Sequence, residues 1–93
     1  MTIYYPQVYH DPDNSTQLPP WDWSVWAGTN PIASIDFVIP VGLTLAGSTI
    51  APPLATCLVS GGMVGETYLV TCRCTLTNGR SEDSSFQVIC VQK

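Results

Sequence analysis

The run ETYLVTCRCTLT, residues 66–77, decides the fold class. Its apolar face consists of Tyr68, Val70, Cys72, Cys74 and Leu76, and mainly polar residues occupy the positions between them. This period of two, carried by β-branched and aromatic types, is typical of a strand with one buried face. Asn78-Gly79 follows, a dipeptide that favours a tight hairpin turn. The run therefore predicts a long strand that turns back into a last strand, Ser85 to Gln92.

Shorter strands are predicted upstream of this hairpin. Ile35, Phe37 and Ile39 alternate with Ser34, Asp36 and Val38, and prolines, glycines and serines separate the runs that follow. No segment longer than one turn has a helical period. The pattern predicts an all-β protein, a small antiparallel sandwich or barrel. The runs after Pro40 are Val41–Leu45, Thr49–Ala51 and Leu54–Val59.

The last strand is apolar on both faces, since Phe86, Val88 and Cys90 alternate with Ile89 and Val91. A strand of this kind usually has something packed on each side. With only 11% charged residues and 45% hydrophobic residues in the chain, we expect part of the surface to be covered by a neighbour.

The turn before the long strand indicates which type of β-sandwich the chain forms. Gly65 precedes Tyr68 at the start of that strand. In immunoglobulin-like sandwiches a tyrosine at such a corner packs its ring in the core and returns its hydroxyl to upstream backbone. Tyr68 fits this position, and the alternative is an ordinary strand tyrosine. Gly65, Tyr68, Asn78 and Gly79 are therefore predicted to have structural roles in an Ig-like β-sandwich formed by residues 32–93.

Residues 1–31 differ from the rest of the chain because they are rich in proline, tryptophan and tyrosine and show no sustained period. Proline restricts the backbone to extended and turn conformations. This segment is predicted to be an extended N-terminal arm. One exception is a single helical turn, Trp23 to Ala27, which Asp22 would cap and Gly28 would end.

The aromatic residues of this arm allow two interpretations. Some of the tryptophans could fold back and plug the open end of the sandwich, as considered for Trp23 and Trp26, since each buries a large area. Alternatively the arm anchors a partner subunit, because Trp and Tyr are enriched at binding hot spots. A third possibility is a carbohydrate-binding platform, in which sugars stack on the tryptophans. The predicted partner-binding set is Tyr4, Tyr5, Tyr9, Trp21, Trp23 and Trp26.

Catalysis and cofactor binding find little support in the sequence. His10 is the only histidine, so no Cys–His or Ser–His pair is composed, and we expect no enzyme activity, no cofactor and no metal. The four cysteines lack the paired spacing of zinc sites and are interpreted as small core residues, with a cross-strand disulfide as the alternative. Three basic residues against seven acidic ones disfavour nucleic-acid binding. The longest weakly polar stretch runs from Ile32 to Leu58, and Pro40, Pro52 and Pro53 interrupt it. No membrane span is therefore predicted.

An ordered set of short motifs resembles small structural proteins of tailed bacteriophages, the fiber-tail adaptor and head–tail region proteins with an Ig-like sandwich. The resemblance spans roughly residues 11–91, while four cysteines and the first ten residues depart from it. The motifs are Asp22–Ala27, Ile32–Ser34, Val41–Thr44, Ser60–Tyr68 and Thr77–Arg80.

The resemblance implies a virion component, assembled in the bacterial host cytoplasm, that docks as an adaptor at the head–tail or tail-fiber junction. Its partners would be other virion proteins: adaptor, portal-proximal, tail or fiber subunits, or the major capsid protein. Several copies per particle are expected. Capsid decoration is the alternative role, because Ig-like phage proteins serve there as well.

Overall fold

The computed structural model describes residues 6–92 and confirms the all-β sandwich. The elements are β1 Gln7–His10, β2 Ser15–Gln17, β3 Trp21–Asp22, α1 Ser24–Ala27, β4 Ile32–Val38, β5 Leu43–Ala51, β6 Leu54–Gly61, β7 Thr67–Leu76 and β8 Ser81–Cys90. One sheet, called sheet A, has the strand order β1-β8-β7-β4, and sheet B has β6 between β5 on one side and β2 and β3 on the other. Among the described residues no helix is long and apolar enough to cross a membrane.

The β7–β8 hairpin turns at the Asn-Gly dipeptide as predicted, but β8 begins at Ser81, directly after the turn, and not at Ser85. In its turn the Gly79 N–H donates to the Leu76 carbonyl at 3.0 Å, and the Arg80 N–H donates to Asn78 Oδ1 at 3.0 Å. Gly79 has a φ of 91°, which only glycine adopts readily. The alternate residues of β7 from Val70 to Leu76 are buried, so this strand supplies much of the sheet A side of the core.

Strand β5 is one continuous strand where the sequence predicts two short runs. It pairs with β6 from Leu43 to Ala51, with a register shift between Leu45 and Gly47. Ala46 is an extra residue in β5 that has no partner in β6. The side chains that face the core are therefore odd-numbered before Ala46 and even-numbered after it. A period-2 pattern read along the sequence therefore breaks at this point.

The core lies between the two sheets and combines aliphatic residues, aromatic residues and cysteines. All four cysteines are free thiols and fully or almost fully buried, as the core interpretation predicts. Burial raises the pKa of the Cys57 thiol to about 11, with a smaller contribution from Cys72. The central cluster comprises Leu18, Trp21, Trp23, Ile35, Leu43, Ala55, Cys57, Val59, Val70, Cys72, Cys74 and Val88.

The described part of residues 1–31 belongs to the sandwich, which corrects the expectation of an arm set apart at residue 31. Strand β1 pairs in parallel with β8, and β2 and β3 pair antiparallel with β6. The Leu18 side chain, between β2 and β3, is 1% exposed, and its backbone bonds to Cys57 and to the Thr56 hydroxyl. These strands are four, three and two residues long, too short for a detectable local period.

Candidate docking surfaces

Trp21 is a core residue and not a surface anchor. It is 4% exposed, and its ring lies 4.7 Å from Phe86 and 5.6 Å from Phe37, measured between centroids. Its indole N–H donates to the Ser84 carbonyl at 3.1 Å. The ring thereby links β3 of sheet B to β4 and β8 of sheet A. This placement corrects its assignment to the partner-binding set.

Trp23 and Trp26 close one end of the sandwich. Trp23 is 5% exposed, and its ring packs edge-on against the half-buried Trp26 with centroids 5.5 Å apart. The Arg80 guanidinium lies 5.7 Å above the Trp26 ring, a cation–π contact with the β7–β8 turn. With Trp21 and Trp23 buried, the described chain does not present the three tryptophans as a platform on which a sugar could stack.

The one-turn helix that carries Trp26 is held from both ends. The Ser24 N–H donates to Asp22 Oδ1 at 2.9 Å, and hydrogen bonds from the side chain and then the backbone of Ser24 lower the pKa of the Asp22 carboxyl. At the other end Gly28 has a φ of 60°, and its N–H donates to the Ser24 carbonyl. Val25 points outward from this turn and is 93% exposed. Residues adjacent in sequence thus hold the helical turn whose Trp26 covers this end of the sandwich.

Tyr68 organises the opposite end. Its hydroxyl accepts a hydrogen bond from the Met63 N–H at 3.2 Å, and its ring packs partly buried against the core. A Cβ placed on Gly42 or Gly62 would lie 3.1 Å from atoms of this ring, so the ring needs glycine on both flanking loops. Gly65, with a φ of 91°, bonds through its N–H to the Cys90 carbonyl.

His10, which the sequence places in the predicted arm, is a buried structural residue. It is fully buried, its Nδ1 lies 2.6 Å from Thr16 Oγ1, and its Nε2 lies 2.9 Å from the Gly61 carbonyl oxygen. Because Gly61 offers only an acceptor, Nε2 carries the proton in this bond. The imidazole joins β1 of sheet A to β2 and β6 of sheet B. No local signal marks this role, since the partners are brought together only by the fold.

An apolar stripe crosses the outer face of sheet A. Tyr9 lies opposite Ile89, Leu69 is diagonal to Ile89 on β7, and Val38 is diagonal to Leu69 on β4. Diagonal neighbours on one sheet face lie within reach of each other's side chains. Tyr9 is 54%, Leu69 40% and Val38 48% exposed, while Ile89 is half-buried. We call Tyr9, Ile89, Leu69 and Val38 the apolar stripe.

A charged row lies beside the apolar stripe. Asp36, Arg73 and Asp83 stand opposite one another on β4, β7 and β8. Arg73 donates from Nε and Nη2 to the Asp83 carboxylate at 2.8 and 3.2 Å. This contact lowers the pKa of Asp83 and raises that of Arg73. The outer face of sheet A is therefore divided into an ionic part and an apolar part.

Of the remaining predicted partner residues, Tyr4 and Tyr5 lie outside the described residues. Within residues 6–92 no group of three or more His, Cys, Asp or Glu side chains is placed to hold a metal ion.

The structure is thus a small β-sandwich with tryptophans closing one end and an apolar stripe exposed on one sheet. The profile of a protein family described as podophage GP4 fiber-tail adaptor protein gp77 matches residues 14–89. The chain belongs to this family, and it is thus a phage structural adaptor and a component of the virion. A structural adaptor is not a class of enzyme. No curated protein matches the sequence significantly.

Proposed function

We propose that this chain joins the tail fiber to the tail by burying the apolar stripe against another virion protein. The family supports the adaptor role, and the stripe is the observation that carries the docking surface. Hot spots of protein interfaces are enriched in exposed aromatic residues that become buried, and Tyr9 is such a residue. The stripe also supplies the second packed side that a doubly apolar last strand requires.

The proposed partner also contacts tyrosines near β1. Strand β1 forms one edge of sheet A, and Tyr9 is the end of the stripe on that edge. Tyr4 and Tyr5 precede β1 by a few residues and would add aromatic contacts to the same partner. The adaptor would occupy several equivalent positions around the tail.

The experiment uses phage that lack the gene and are complemented with a Tyr9→Ser/Leu69→Ser variant. Both side chains point away from the core, so the fold should persist while apolar contact is lost. We expect at least a ~10-fold lower occupancy of adaptor and fiber on purified particles. Val25→Ser is the matched control, since it removes an exposed apolar side chain from α1, outside the stripe.

Particle fractionation tests the location separately. The adaptor should co-purify with tails that carry fibers. Recovery on the surface of tailless heads would favour capsid decoration instead. Wild-type occupancy of the double variant on tails would contradict docking through the stripe.

A further inference from the structure

Strand β5 is a long free edge of sheet B that carries no charge. It pairs only with β6 within residues 6–92, and seven of its nine residues are exposed. Edges usually avoid pairing with other chains through charge, proline, a bulge or short length. Strand β4, the longer edge strand of sheet A, carries Asp36. Strand β5 carries no charge and no proline, and its protection is limited to the register shift at Ala46 and to Pro52 directly after its end.

The exposed apolar side chains of β5 lie on its core-facing side. Leu45 stands opposite Val59 and Ile50 opposite Ala55, and both of these β6 residues are buried. Yet Leu45 is 40% and Ile50 46% exposed, because nothing in residues 6–92 pairs along the outer edge of the strand. A further strand added there would cover both side chains and satisfy the outward N–H and C=O groups of alternate β5 residues.

We propose that the occupant of this edge is β5 of a second copy of the chain, paired antiparallel about Ala46 and Gly47. In this register Thr44 lies opposite Thr49 of the second copy, and Leu45 opposite Ser48. Leu43 then faces Ile50, so each pair outside the two central residues joins side chains from the same face of the sheet. Threonine pairs and aliphatic pairs are favourable across antiparallel strands.

Charge favours a second copy at this edge over other edges. In a two-fold interface each surface meets itself, so any charge lies near its own copy. The chain has a net charge of −4, yet between Asp36 and Glu66 it carries no Asp, Glu, Lys or Arg. Strands β5 and β6 both fall within this interval. The β5 edge is therefore a place where two acidic chains can meet without like charges in contact.

The test is sedimentation equilibrium of the purified chain and of two double variants. Wild-type protein should approach twice the 10.1 kDa of one chain as concentration rises. Thr44→Lys/Thr49→Lys should weaken association at least ~10-fold, because like charges then stand directly opposite each other. Thr44→Glu/Thr49→Lys should restore the dimer, because the same register places each Glu opposite a Lys.

The matched control is Thr67→Lys/Thr77→Lys, which adds the same charge at exposed positions at the start of β7 and directly after its end. It should associate like wild type, and circular dichroism should show that all variants fold. A monomer at every concentration would overturn the proposal. So would a dimer that survives the double lysine variant, or one that the charge-swapped variant fails to restore. A monomer that binds a strand of another virion protein at β5 would likewise replace the second copy as occupant.

Discussion

The two sheets share one core but present different exteriors. The outer face of sheet A has the charged row Asp36, Arg73 and Asp83 beside the apolar stripe. Sheet B ends in β5, a strand of nine residues without a charge. The comparison shows that the charged fraction of the whole chain is a weaker guide to docking surfaces than the positions of its uncharged regions. In our proposals sheet A contributes side chains to a partner, and sheet B contributes the backbone of β5.

Trp21 links the two sheets through its ring contacts and its indole hydrogen bond, and removing it should have the largest effect. Trp21→Ala should lower the free energy of unfolding by ~3–5 kcal/mol, the usual cost of truncating a buried aromatic ring. Chemical denaturation measures this loss. Val25→Ala, at a 93% exposed position, should stay within ~0.5 kcal/mol of wild type. A loss below ~1 kcal/mol at Trp21 would show that residues 7–22 pack loosely on the sandwich.

The core-facing side of sheet B is as fully buried as that of sheet A, and a polar substitution tests this burial. Cys57 is fully buried, and burial raises the pKa of its thiol to about 11. Cys57→Ser should cost ~1–3 kcal/mol, because a hydroxyl loses more hydration than a thiol on burial. Denaturation of Cys57→Ala separates the polar cost from the loss of volume. Equal stabilities of the Ser and Ala variants would argue that water reaches this site.

Tyr68 joins the loops at one end of the sandwich, and its hydroxyl should contribute less to the free energy of unfolding than the buried core residues do. Tyr68→Phe keeps the ring between Gly42 and Gly62 and removes the bond to the Met63 N–H. We expect a loss of ~0.5–1.5 kcal/mol, the net value of one hydrogen bond. Thermal unfolding measures it. Tyr68→Ala should cost several times more, and equal effects of the two variants would assign the role to the hydroxyl alone.

The charged row on sheet A should have the smallest effect, one that depends on pH. Arg73 lowers the pKa of Asp83 in the folded protein. The pair therefore stabilises the fold above the unfolded pKa of Asp83, and this contribution is lost as pH falls through the lower folded pKa. The difference in Tm between wild type and Asp83→Asn should shrink on acidification from neutral pH to below that value.

A difference in Tm that grows with acidification would contradict the assignment of this ion pair. Both side chains are half exposed, so salt should also reduce the difference.

Local patterns predicted the elements that local forces determine. Strand β7, its Asn78-Gly79 turn and the helical turn at Ser24 each depend on residues close in sequence. Strand β1 could not be found in this way, because it has only four residues and pairs with β8, eighty positions away. Strand β5 was predicted in two pieces because the register shift at Ala46 breaks its alternation.

The candidate site was harder to predict than the fold, for a physical reason. The apolar stripe takes its side chains from four strands, so only the assembled sheet brings them together. The apolar outer face of the last strand was the one local signal of a covered surface, and Ile89 is part of the stripe. The tryptophans gave the stronger but misleading signal, since a core of this size uses two of them inside.

The most direct test of the account is the occupancy of adaptor and fiber on purified particles complemented with Tyr9→Ser/Leu69→Ser. We predict at least a ~10-fold loss of both proteins relative to wild type and to Val25→Ser, with unchanged stability of the purified variant. Full occupancy of a folded double variant would contradict docking through the apolar stripe.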